Sequence, residues 1–238
     1  MIKNLTKNKP IFIAEIGMNH NGNFDLAYEL IYQAKISGAS LVKFQIGWRD
    51  KKNEINFIDH EILKKLFKIS DSLSMPIFFS IISDEGFKKI DRYNLPIIKI
   101  ASRTLKENFG LAQKIINKKK LTIVSLGMWH KKKKPFAKNK NIKYLWCQSE
   151  YPLYPWKIKN FPKNFPKEQL DGYSDHTVGI DMPLLAISRG AKIIEKHFTL
   201  DKSDTTIRDH ALSANPKEFR NLVNIGTELF VKVNKFKI

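Results

Sequence analysis

The chain has 238 residues, of which 42% are hydrophobic and 27% are charged. This composition is typical of a globular chain and too apolar for a disordered one, and the length favours one domain of about 200–250 residues. The 42 basic and 23 acidic residues give a formal charge of +19, which excludes an acidic, solvating chain and requires an account of where the positive charge acts.

Short apolar runs alternate with helical patterns along the chain. Eight runs have the composition of strands: Ile11–Glu15, Leu41–Gln45, Ile77–Ser80, Ile97–Ala101, Leu121–Ser125, Ile142–Cys147, Gly172–Tyr173 and Lys192–Lys196. Apolar residues at helical spacing predict four helices between them. These helices are Phe24–Ser37, Asp84–Arg92, Leu105–Asn117 and Asp181–Arg189. This alternation is the clearest structural signal in the sequence.

Eight strands with intervening helices predict a (β/α)8 TIM barrel. A doubly wound sheet would have fewer strands and a glycine-rich first turn, which this sequence lacks. Four prolines make Tyr151–Pro166 a long loop, Pro216–Phe230 is predicted as a closing helix, and Val231–Ile238 as a frayed end. We therefore expect one α/β domain over residues 1–238, with its core at about residues 10–230.

The compartment is predicted from what the chain contains. A single cysteine, Cys147, excludes an internal disulfide framework and a thiolate metal cluster, and fits a reducing cytosol. The apolar stretch Ile11–Ala14 ends at Glu15 and is too short for a secretory signal. No run of about 18 apolar residues is present. We expect a cytoplasmic protein without a membrane partner.

The positive charge has three readings: a nucleic-acid partner, an anionic surface, or a lysine-rich exterior around a site for an anionic substrate. Most lysines are scattered singly, some on a helix face such as Lys64, Lys65 and Lys68. The one dense run, Lys131–Lys134, precedes Pro135 and is predicted as a loop. Because no aromatic-and-basic RNA motif, zinc-finger spacing or basic zipper accompanies it, we expect no nucleic-acid partner.

Polar side chains interrupt the apolar runs at the carboxyl ends of the predicted strands, where the sites of such barrels lie. These residues are Glu15, Lys43, Gln45, Lys99, Ser102, Ser125, Ser174, Asp175, His176, Glu195 and His197. Lys43 and Gln45 are two apart, so they point to the same face of their strand. Lys99 lies among isoleucines, where a lysine needs a partner.

Two sub-sites follow from these residue types. The lysines and serines supply ammonium and hydroxyl donors suited to a phosphate with a neighbouring carboxylate. His176 and His197 can offer two neutral imidazoles to a divalent metal, with Glu15 or Glu195 completing or orienting the shell. A structural reading stays open, because strand-end serines often cap turns and the separation of 21 residues matches no short metal motif. If both sub-sites are functional, a phosphate clamp and a metal in one pocket indicate a small phosphorylated anion as substrate and a Lewis-acid step.

Eight strings in the chain resemble motifs of the sialic acid synthase family, which includes N-acetylneuraminate, legionaminate and pseudaminate synthases. The strings are Ile13–Gly22, Gly38–Gln45, Lys99–Ser102, Ser125–Met128, Ser149–Pro152, Gly172–Thr177, Glu195–Thr199 and Asp209–His210. They occur in the family's order from residue 11 to about residue 220. Any one of them is weak evidence, but their order together is a specific signal.

The resemblance implies a barrel enzyme that joins phosphoenolpyruvate to an N-acylated hexose such as N-acetylmannosamine, giving a nine-carbon 2-keto acid and phosphate. It implies a divalent metal, typically manganese, bound by His176 and His197. Phosphoenolpyruvate would be held by Lys43, Lys99, Ser102, Ser125 and Ser174, and the sugar contacted by Gln45, Tyr151 and Asp209. The catalytic set would be Glu15, Glu195 and the two histidines, with the carboxylates serving the metal, its water or proton transfer.

The chain departs from the family pattern in two places. Where the family has Ser-Thr-Pro-Phe-Asp, this chain reads Ser80-Ile81-Ile82-Ser83-Asp84, so Ile81 is expected in place of a phosphate-contacting threonine. The family also continues into an antifreeze-like C-terminal domain whose arginine reaches the neighbouring subunit's site. The sequence ends at Ile238, so we expect the barrel domain alone, which leaves open a homodimer or a separate chain that supplies the cap.

The main prediction is a synthase that acts on two small molecules, phosphoenolpyruvate and an amino sugar. Two alternatives remain at this point. One is a related barrel enzyme with another sugar acceptor or with a cap supplied in trans. The other is a degenerate, non-catalytic homologue, which the retained lysines disfavour because buried lysines are costly.

Overall fold

Eight short strands rich in isoleucine, valine and phenylalanine close into a parallel barrel in the computed structural model, which describes residues 9–137 and 139–236. The strands are β1 Ile11–Gly17, β2 Leu41–Ile46, β3 Ile77–Ile81, β4 Ile97–Ile100, β5 Leu121–Ser125, β6 Ile142–Trp146, β7 Gly172–Asp175 and β8 Ile193–His197. Each pairs with the next in chain order, and β8 pairs with β1, with Glu15 opposite His197. The predicted (β/α)8 barrel is confirmed.

Helices cover the outside of the barrel. They are α1 Ala27–Ile36, α2 His60–Ser72, α3 Asp84–Asp91, α4 Ser102–Glu107, α5 Phe109–Asn117, α6 Asp181–Ser188, α7 Asp209–Leu212 and α8 Pro216–Phe236, with 3-10 turns at Phe24–Leu26 and Pro155–Lys157. Side-chain caps fix several starts: Asp59 accepts from the Ile62 N–H at 2.9 Å, and Ser83 from the Gly86 N–H at 3.1 Å. Each cap satisfies a backbone donor that has no partner within the helix.

Two predicted elements, a helix and a strand, differ notably from those in the structure. The predicted helix Leu105–Asn117 is two helices, because Asn108 leaves the helical region at φ −137° and ψ 69° and caps α5 through the Leu111 N–H at 3.0 Å. The strand predicted at Gly172–Tyr173 continues to Asp175, since Ser174 and Asp175 pair with β8. Ser174 and Asp175 therefore lie in the strand, not after it.

The closing helix is also longer than predicted. α8 continues to Phe236, so residues 231–236 are helical, and the prediction of a frayed end was wrong for them. Lys237 and Ile238 lie outside the described residues, as do residues 1–8. α8 packs against α6 and α1 and buries Phe219, Leu222 and Phe230, so it holds the last helices to the first.

Two apolar layers form the core. The inner layer fills the amino-terminal half of the barrel with Ile11, Ile13, Leu41, Phe78, Ile97, Ile123, Leu145 and Ile193. The larger outer layer lies between strands and helices. β7 approaches β8 closely, because a Cβ on Gly172 would collide with the carbonyl oxygen of Ile193. The inner layer makes the barrel a packed core at one end and leaves room for a cavity inside the other end.

Among the helices of the described ranges, none combines the length and apolar character that crossing a membrane requires.

Candidate functional site

The inward face of the strands changes from apolar to polar within two residues. Ile97 of β4 is followed by Lys99, and Ile193 of β8 by Glu195, because side chains two apart on a strand share a face. The same spacing of two residues along the other strands brings further side chains to the cavity: Glu15, Lys43, Ser80, Ser125, Cys147 and Ser174. The carboxyl end of the barrel therefore holds a polar cavity of about 550 Å³ above the inner apolar layer.

Two lysines and two carboxylates form the floor of this cavity. Lys43 Nζ lies 2.5 Å from Glu15 Oε2 and 3.8 Å from Glu195 Oε1. Lys99 Nζ lies 3.0 Å from the same Oε1 of Glu195. All four side chains are at most 6% exposed. Because the lysines and carboxylates are buried together, their mutual attraction offsets part of the cost of burying each charge.

The two carboxyl groups differ electrostatically. Burial raises the pKa of Glu15, against the opposing charge of Lys43. Burial also acts to raise the pKa of Glu195, but Lys43 and Lys99 together outweigh it and lower that pKa to about 2. Glu195 therefore holds its charge more firmly, and Glu15 is the carboxyl that takes up a proton more readily. Paired carboxyls whose pKa values are pushed apart are common at acid–base sites.

The lysines respond to the same surroundings. Burial lowers the pKa of Lys99, because the single carboxylate Glu195 only partly offsets it. Burial also acts to lower the pKa of Lys43, but the attraction of Glu15 and Glu195 raises it overall. An anion bound beside Lys99 would therefore add negative charge that Glu195 alone provides only in part.

Hydroxyl and thiol groups surround the lysines. Ser174 Oγ donates to Glu195 Oε1 at 2.8 Å, and Ser102 Oγ accepts from the Gly127 N–H at 3.0 Å. Ser102 Oγ also lies 3.1 Å from Cys147 Sγ. Ser125 Oγ is buried and has no hydrogen-bond partner within residues 9–137 and 139–236. Buried polar atoms are normally satisfied, so the Ser125 hydroxyl is suited to an incoming acceptor.

His176 and His197 lie side by side, with ring centroids 5.6 Å apart. The His176 Nδ1–H donates to the Gln148 carbonyl oxygen at 2.8 Å, which leaves Nε2 as an acceptor 3.1 Å from the Tyr151 hydroxyl. Burial lowers the pKa of His176 and lowers that of His197 to about 3, so both rings are neutral. In the described chain, His197 Nδ1 has no hydrogen-bond partner and lies 3.9 Å from Asp209 Oδ2.

Twelve of the thirteen candidate residues of the sequence analysis line this one cavity. The structure brings together Glu15, Lys43, Gln45, Lys99, Ser102, Ser125, Tyr151, Ser174, His176, Glu195, His197 and Asp209. Asp175, which was singled out with them, points outward and binds Lys196. Ile81 also faces the outer layer, so it does not occupy a phosphate-contacting position; its neighbours Ser80 and Ile82 line the cavity instead.

Several lining residues were not predicted. Ser80 Oγ lies 3.4 Å from Lys43 Nζ, and Cys147, expected only as a buried hydrophobe, contributes its sulfur to the wall. Strand alternation identifies both, since each follows an inner-layer residue by two. Arg49, Arg103 and Arg208 line the mouth from loops and a helix start, where no periodicity marks them.

The fold and this site define a (β/α)8-barrel protein with a buried lysine–carboxylate floor and a histidine pair in one cavity. Residues 49–230 match the model of the NeuB family, and the chain belongs to that family. The predicted membership of the sialic acid synthase family is thereby confirmed.

Relatives and solved structures agree with this membership. The chain is 34% identical to the N,N'-diacetyllegionaminic acid synthase of Legionella pneumophila over 89% of this chain and 69% of that protein. It is 31% identical to the pseudaminic acid synthase of Campylobacter jejuni, over 94% and 75%. Among solved structures, an N-acetylneuraminic acid synthetase from Leptospira borgpetersenii matches with a TM-score of 0.81 and 29% identity, over 95% of this chain and 85% of that one.

Proposed function

We propose that the protein condenses phosphoenolpyruvate with an N-acyl hexosamine of the N-acetylmannosamine type, giving a nine-carbon 2-keto sugar acid and phosphate. The observation that carries the proposal is the convergence of Lys43, Lys99 and the serine hydroxyls with the histidine pair inside one cavity. Membership of the NeuB family supports the same reaction class. A cavity of about 550 Å³ also lies within the usual range for small-molecule sites.

The residues present fit a divalent metal, for which manganese is our proposal. Two neutral imidazoles with an available ring nitrogen suit such an ion, and His197 Nδ1 is a buried nitrogen that lacks a protein partner in the described ranges. The Gln148 carbonyl fixes the tautomer of His176, as outer-shell partners of metal-binding histidines do. No three His, Cys, Asp or Glu side chains within residues 9–137 and 139–236 form a complete ligand set. The remaining ligands would be oxygens of substrate and water. When bound, the metal would polarise the aldehyde oxygen of the sugar.

The floor would hold phosphoenolpyruvate and respond to its changing charge. Lys43 and Lys99 would neutralise the phosphate and carboxylate, and Ser102, Ser125 and Ser174 would donate hydrogen bonds to their oxygens. Glu195, held as an anion by both lysines, would stabilise the positive charge that develops at C2. Because these groups are fixed before the reaction, they need little reorganisation during it.

In the proposed condensation each bond that forms is matched by one that breaks. Carbon 3 of phosphoenolpyruvate forms a bond with the aldehyde carbon, whose oxygen takes a proton and becomes a hydroxyl. Water adds to C2, the C–O bond to phosphate breaks, and C2 becomes the keto carbon. Glu15 is suited to carry a proton in this sequence, because its carboxyl is buried next to Gln45 Nε2 at 3.0 Å and has a raised pKa. Gln45, Tyr151 and Asp209 would orient the sugar.

The direct test combines the protein with Mn²⁺, phosphoenolpyruvate and a panel of N-acyl hexosamines. We expect phosphate and a nine-carbon keto acid in equal amounts, by phosphate assay and mass spectrometry, with a subset of sugars, and loss of both products on chelation. The variant His197→Asn should abolish turnover. The matched control His130→Asn alters an exposed histidine outside the cavity and should retain it.

Other outcomes would contradict the proposal in distinct ways. Phosphate release without a sugar would indicate a phosphatase. Binding to polyanions without preference for phosphoenolpyruvate would favour a charge-driven role for the +19 chain. Binding of phosphoenolpyruvate without turnover of any hexosamine would favour the alternative of a different acceptor or a non-catalytic homologue.

A further inference from the structure

Three consecutive polar residues, Asn19, His20 and Asn21, follow β1 and have no role in the site described above. They belong to the string Ile13–Gly22 and lie outside the set of residues that line the cavity. Asn19 is 4% exposed and His20 is fully buried. Buried polar side chains cost free energy unless they are hydrogen-bonded, so their partners indicate what the segment does. We call these three residues the β1 tripeptide.

His20 bonds to a second buried polar residue, Asn56. The Gly22 N–H donates to His20 Nδ1 at 3.1 Å, so the ring proton lies on Nε2, which donates to Asn56 Oδ1 at 3.1 Å. The ring stacks on that of Phe24, with centroids 4.1 Å apart. Burial lowers the pKa of His20 to about 4, so the ring is neutral at pH 7. The bond to His20 therefore fixes which way the Asn56 amide points.

Asn56 in turn holds the turn that ends β2. Its Nδ2 donates to the carbonyl oxygens of Gln45 at 3.2 Å and Trp48 at 3.0 Å, and its backbone N–H donates to that of Arg49 at 3.1 Å. Arg49 has a φ of 49°, which is uncommon for a residue other than glycine, so the turn depends on such contacts. A flipped amide would place Oδ1 against both carbonyl oxygens. His20 thus selects the amide orientation that supports the turn.

Asn19 and Asn21 bond to the segment that follows β8. Asn19 Nδ2 donates to the Phe198 carbonyl oxygen and to Ser213 Oγ, both at 2.9 Å. Asn21 Oδ1 accepts from His210 Nε2 at 2.8 Å. The β1 tripeptide therefore contacts this segment near its start and near its end.

The same segment carries Asp209, whose carboxylate lies 3.9 Å from His197 Nδ1 in the cavity. The Ser213 hydroxyl donates to the Asp209 carbonyl oxygen at 2.6 Å, and His210 is the next residue in the chain. Asp209 is thus connected to the β1 tripeptide by two routes, one through Ser213 and one through His210. The backbone of this acidic residue is supported from behind the cavity.

These connections lead to residues assigned to the sugar. Gln45, next to last in β2, is reached through Asn56, and Asp209 is reached through the segment after β8. Most residues assigned to phosphoenolpyruvate lie within strands, whose ladder hydrogen bonds set their positions: Lys43, Lys99, Ser125 and Ser174. A change in the β1 tripeptide should therefore disturb the sugar before it disturbs the floor.

We propose that Asn19, His20 and Asn21 are positioning residues, which hold the sugar-contacting end of β2 and the segment after β8 at a fixed distance from each other. This inference rests on the proposed function. Because one short segment anchors both, their arrangement is set by β1 before a ligand binds. Groups that are ordered in advance lose less freedom on binding, and a displacement of about 1 Å can cost about 100-fold in rate.

The kinetic test uses His20→Phe, which keeps a ring against Phe24 and removes both hydrogen bonds. The assay contains Mn²⁺, phosphoenolpyruvate and N-acetylmannosamine, or whichever hexosamine of the panel gives product. We expect kcat/KM for the sugar to fall about 10- to 100-fold. The Kd of phosphoenolpyruvate, measured calorimetrically without sugar, should stay within about twofold of the native value. His20→Gln has an amide that can donate to Asn56 and should recover part of the loss.

Asn21→Gly tests the route through His210. Asn21 has a φ of 53°, which glycine adopts freely, so this variant removes the side chain without straining the backbone. It should also lower kcat/KM for the sugar and keep the Kd of phosphoenolpyruvate. The control His60→Phe makes the same replacement as His20→Phe at a half-buried histidine of α2 outside the cavity, and it should change neither quantity.

Hydrogen exchange followed by mass spectrometry measures the two segments directly and needs no turnover. His20→Phe should speed exchange in the turn after β2, where the Asn56 N–H bonds to the Arg49 carbonyl, and leave the segment after β8 near its native rate. Asn21→Gly should have the opposite pattern. Both variants should leave β4 and β5 unchanged, which separates local loosening from loss of the fold.

Two results would overturn the inference: native sugar kinetics in both variants, or a loss of phosphoenolpyruvate affinity as large as the loss for the sugar. Failure of the proposed function has a different result. A native protein that forms no keto acid from any hexosamine contradicts the condensation, and the exchange pattern then decides whether the β1 tripeptide holds the two segments. Condensation with unaltered kinetics in the variants contradicts the positioning and leaves the condensation standing.

Discussion

Lys99 is a buried ammonium among the isoleucines of β4, with Glu195 as its only carboxylate neighbour in the described chain. Burial lowers its pKa because that one carboxylate does not fully offset desolvation. A phosphate placed beside Lys99 would supply the missing counter-charge. The residue is therefore the point in the floor where substrate charge and protein charge depend on each other most directly.

We predict that Lys99→Met raises the KM for phosphoenolpyruvate by about 10- to 100-fold, since a hydrogen bond to a charged group contributes roughly 1.5–3 kcal/mol. Methionine keeps the length and the apolar stem, so the barrel should still close. The control Lys106→Met, an exposed position of α4, should keep the native KM. An unchanged KM in the Lys99 variant would remove this residue from the phosphate clamp.

Individual site residues could be predicted from the sequence best where they lie in strands. Lys99 and Glu195 were identifiable because a charge in an apolar strand needs a partner, and the barrel gives each to the other. The same alternation also reaches Ser80, which was missed, and shows that Ile81 faces the outer layer. Arg49, Arg103 and Arg208 could not be predicted as lining residues, because positions in loops and at a helix start show no strand periodicity and their approach to one cavity depends on how the strands close.

Strands β7 and β8 are joined on their outward faces by a fully buried ion pair. Lys196 Nζ lies 2.7 Å from Asp175 Oδ2 and also donates to the Thr177 carbonyl. Asp175 Oδ1 accepts from the hydroxyl groups of Tyr173 and Thr177, both at 2.7 Å. Because neighbours in a strand face opposite sides, this pair lies directly behind the residues that point into the cavity, His176 and Glu195 among them.

We predict that Lys196→Met lowers the free energy of unfolding by about 3–5 kcal/mol, because it leaves the Asp175 carboxylate buried and unpaired. Urea unfolding followed by circular dichroism measures the change. Lys192→Met, at an exposed position beside the same strand, should alter it by less than about 0.5 kcal/mol. The double variant Asp175→Asn, Lys196→Met should recover part of the loss. A Lys196 variant as stable as the native protein would mean that the pair contributes no net stability.

Element prediction failed where polar residues belong to strands. β7 reads Gly-Tyr-Ser-Asp, which has little strand propensity, yet it pairs with β8 over its whole length. Its place is fixed by tertiary contacts: the close approach of Gly172 to β8 and the buried pair of Asp175. The division between α4 and α5 depends on the backbone and cap of Asn108, for which the apolar spacing gives no sign.

The whole molecule separates packing from chemistry along the barrel axis. The inner apolar layer closes one end, and the charged floor and the histidine pair line the cavity at the other end. The barrel was predictable from the sequence, but the position of each residue along the barrel axis was not. Strand number and apolar runs define the closed sheet, whereas depth depends on the stagger between strands, which only the pairing registers reveal.

Binding of phosphoenolpyruvate should stabilise the entire fold, because the floor and the serines beside it bring together side chains of β1, β2, β4, β5, β7 and β8. A ligand at 100 times its Kd contributes about 2.7 kcal/mol, which should raise the Tm of a chain this size by about 5–10 °C. Thermal unfolding over a concentration series of phosphoenolpyruvate, without sugar, measures the shift. Lys99→Met should lose most of it, whereas Arg220→Gln, at an exposed position of α8 outside the cavity, should keep it. Sulfate at equal ionic strength controls for general anion binding. A shift of equal size in the Lys99 variant would mean that phosphoenolpyruvate binds outside the floor.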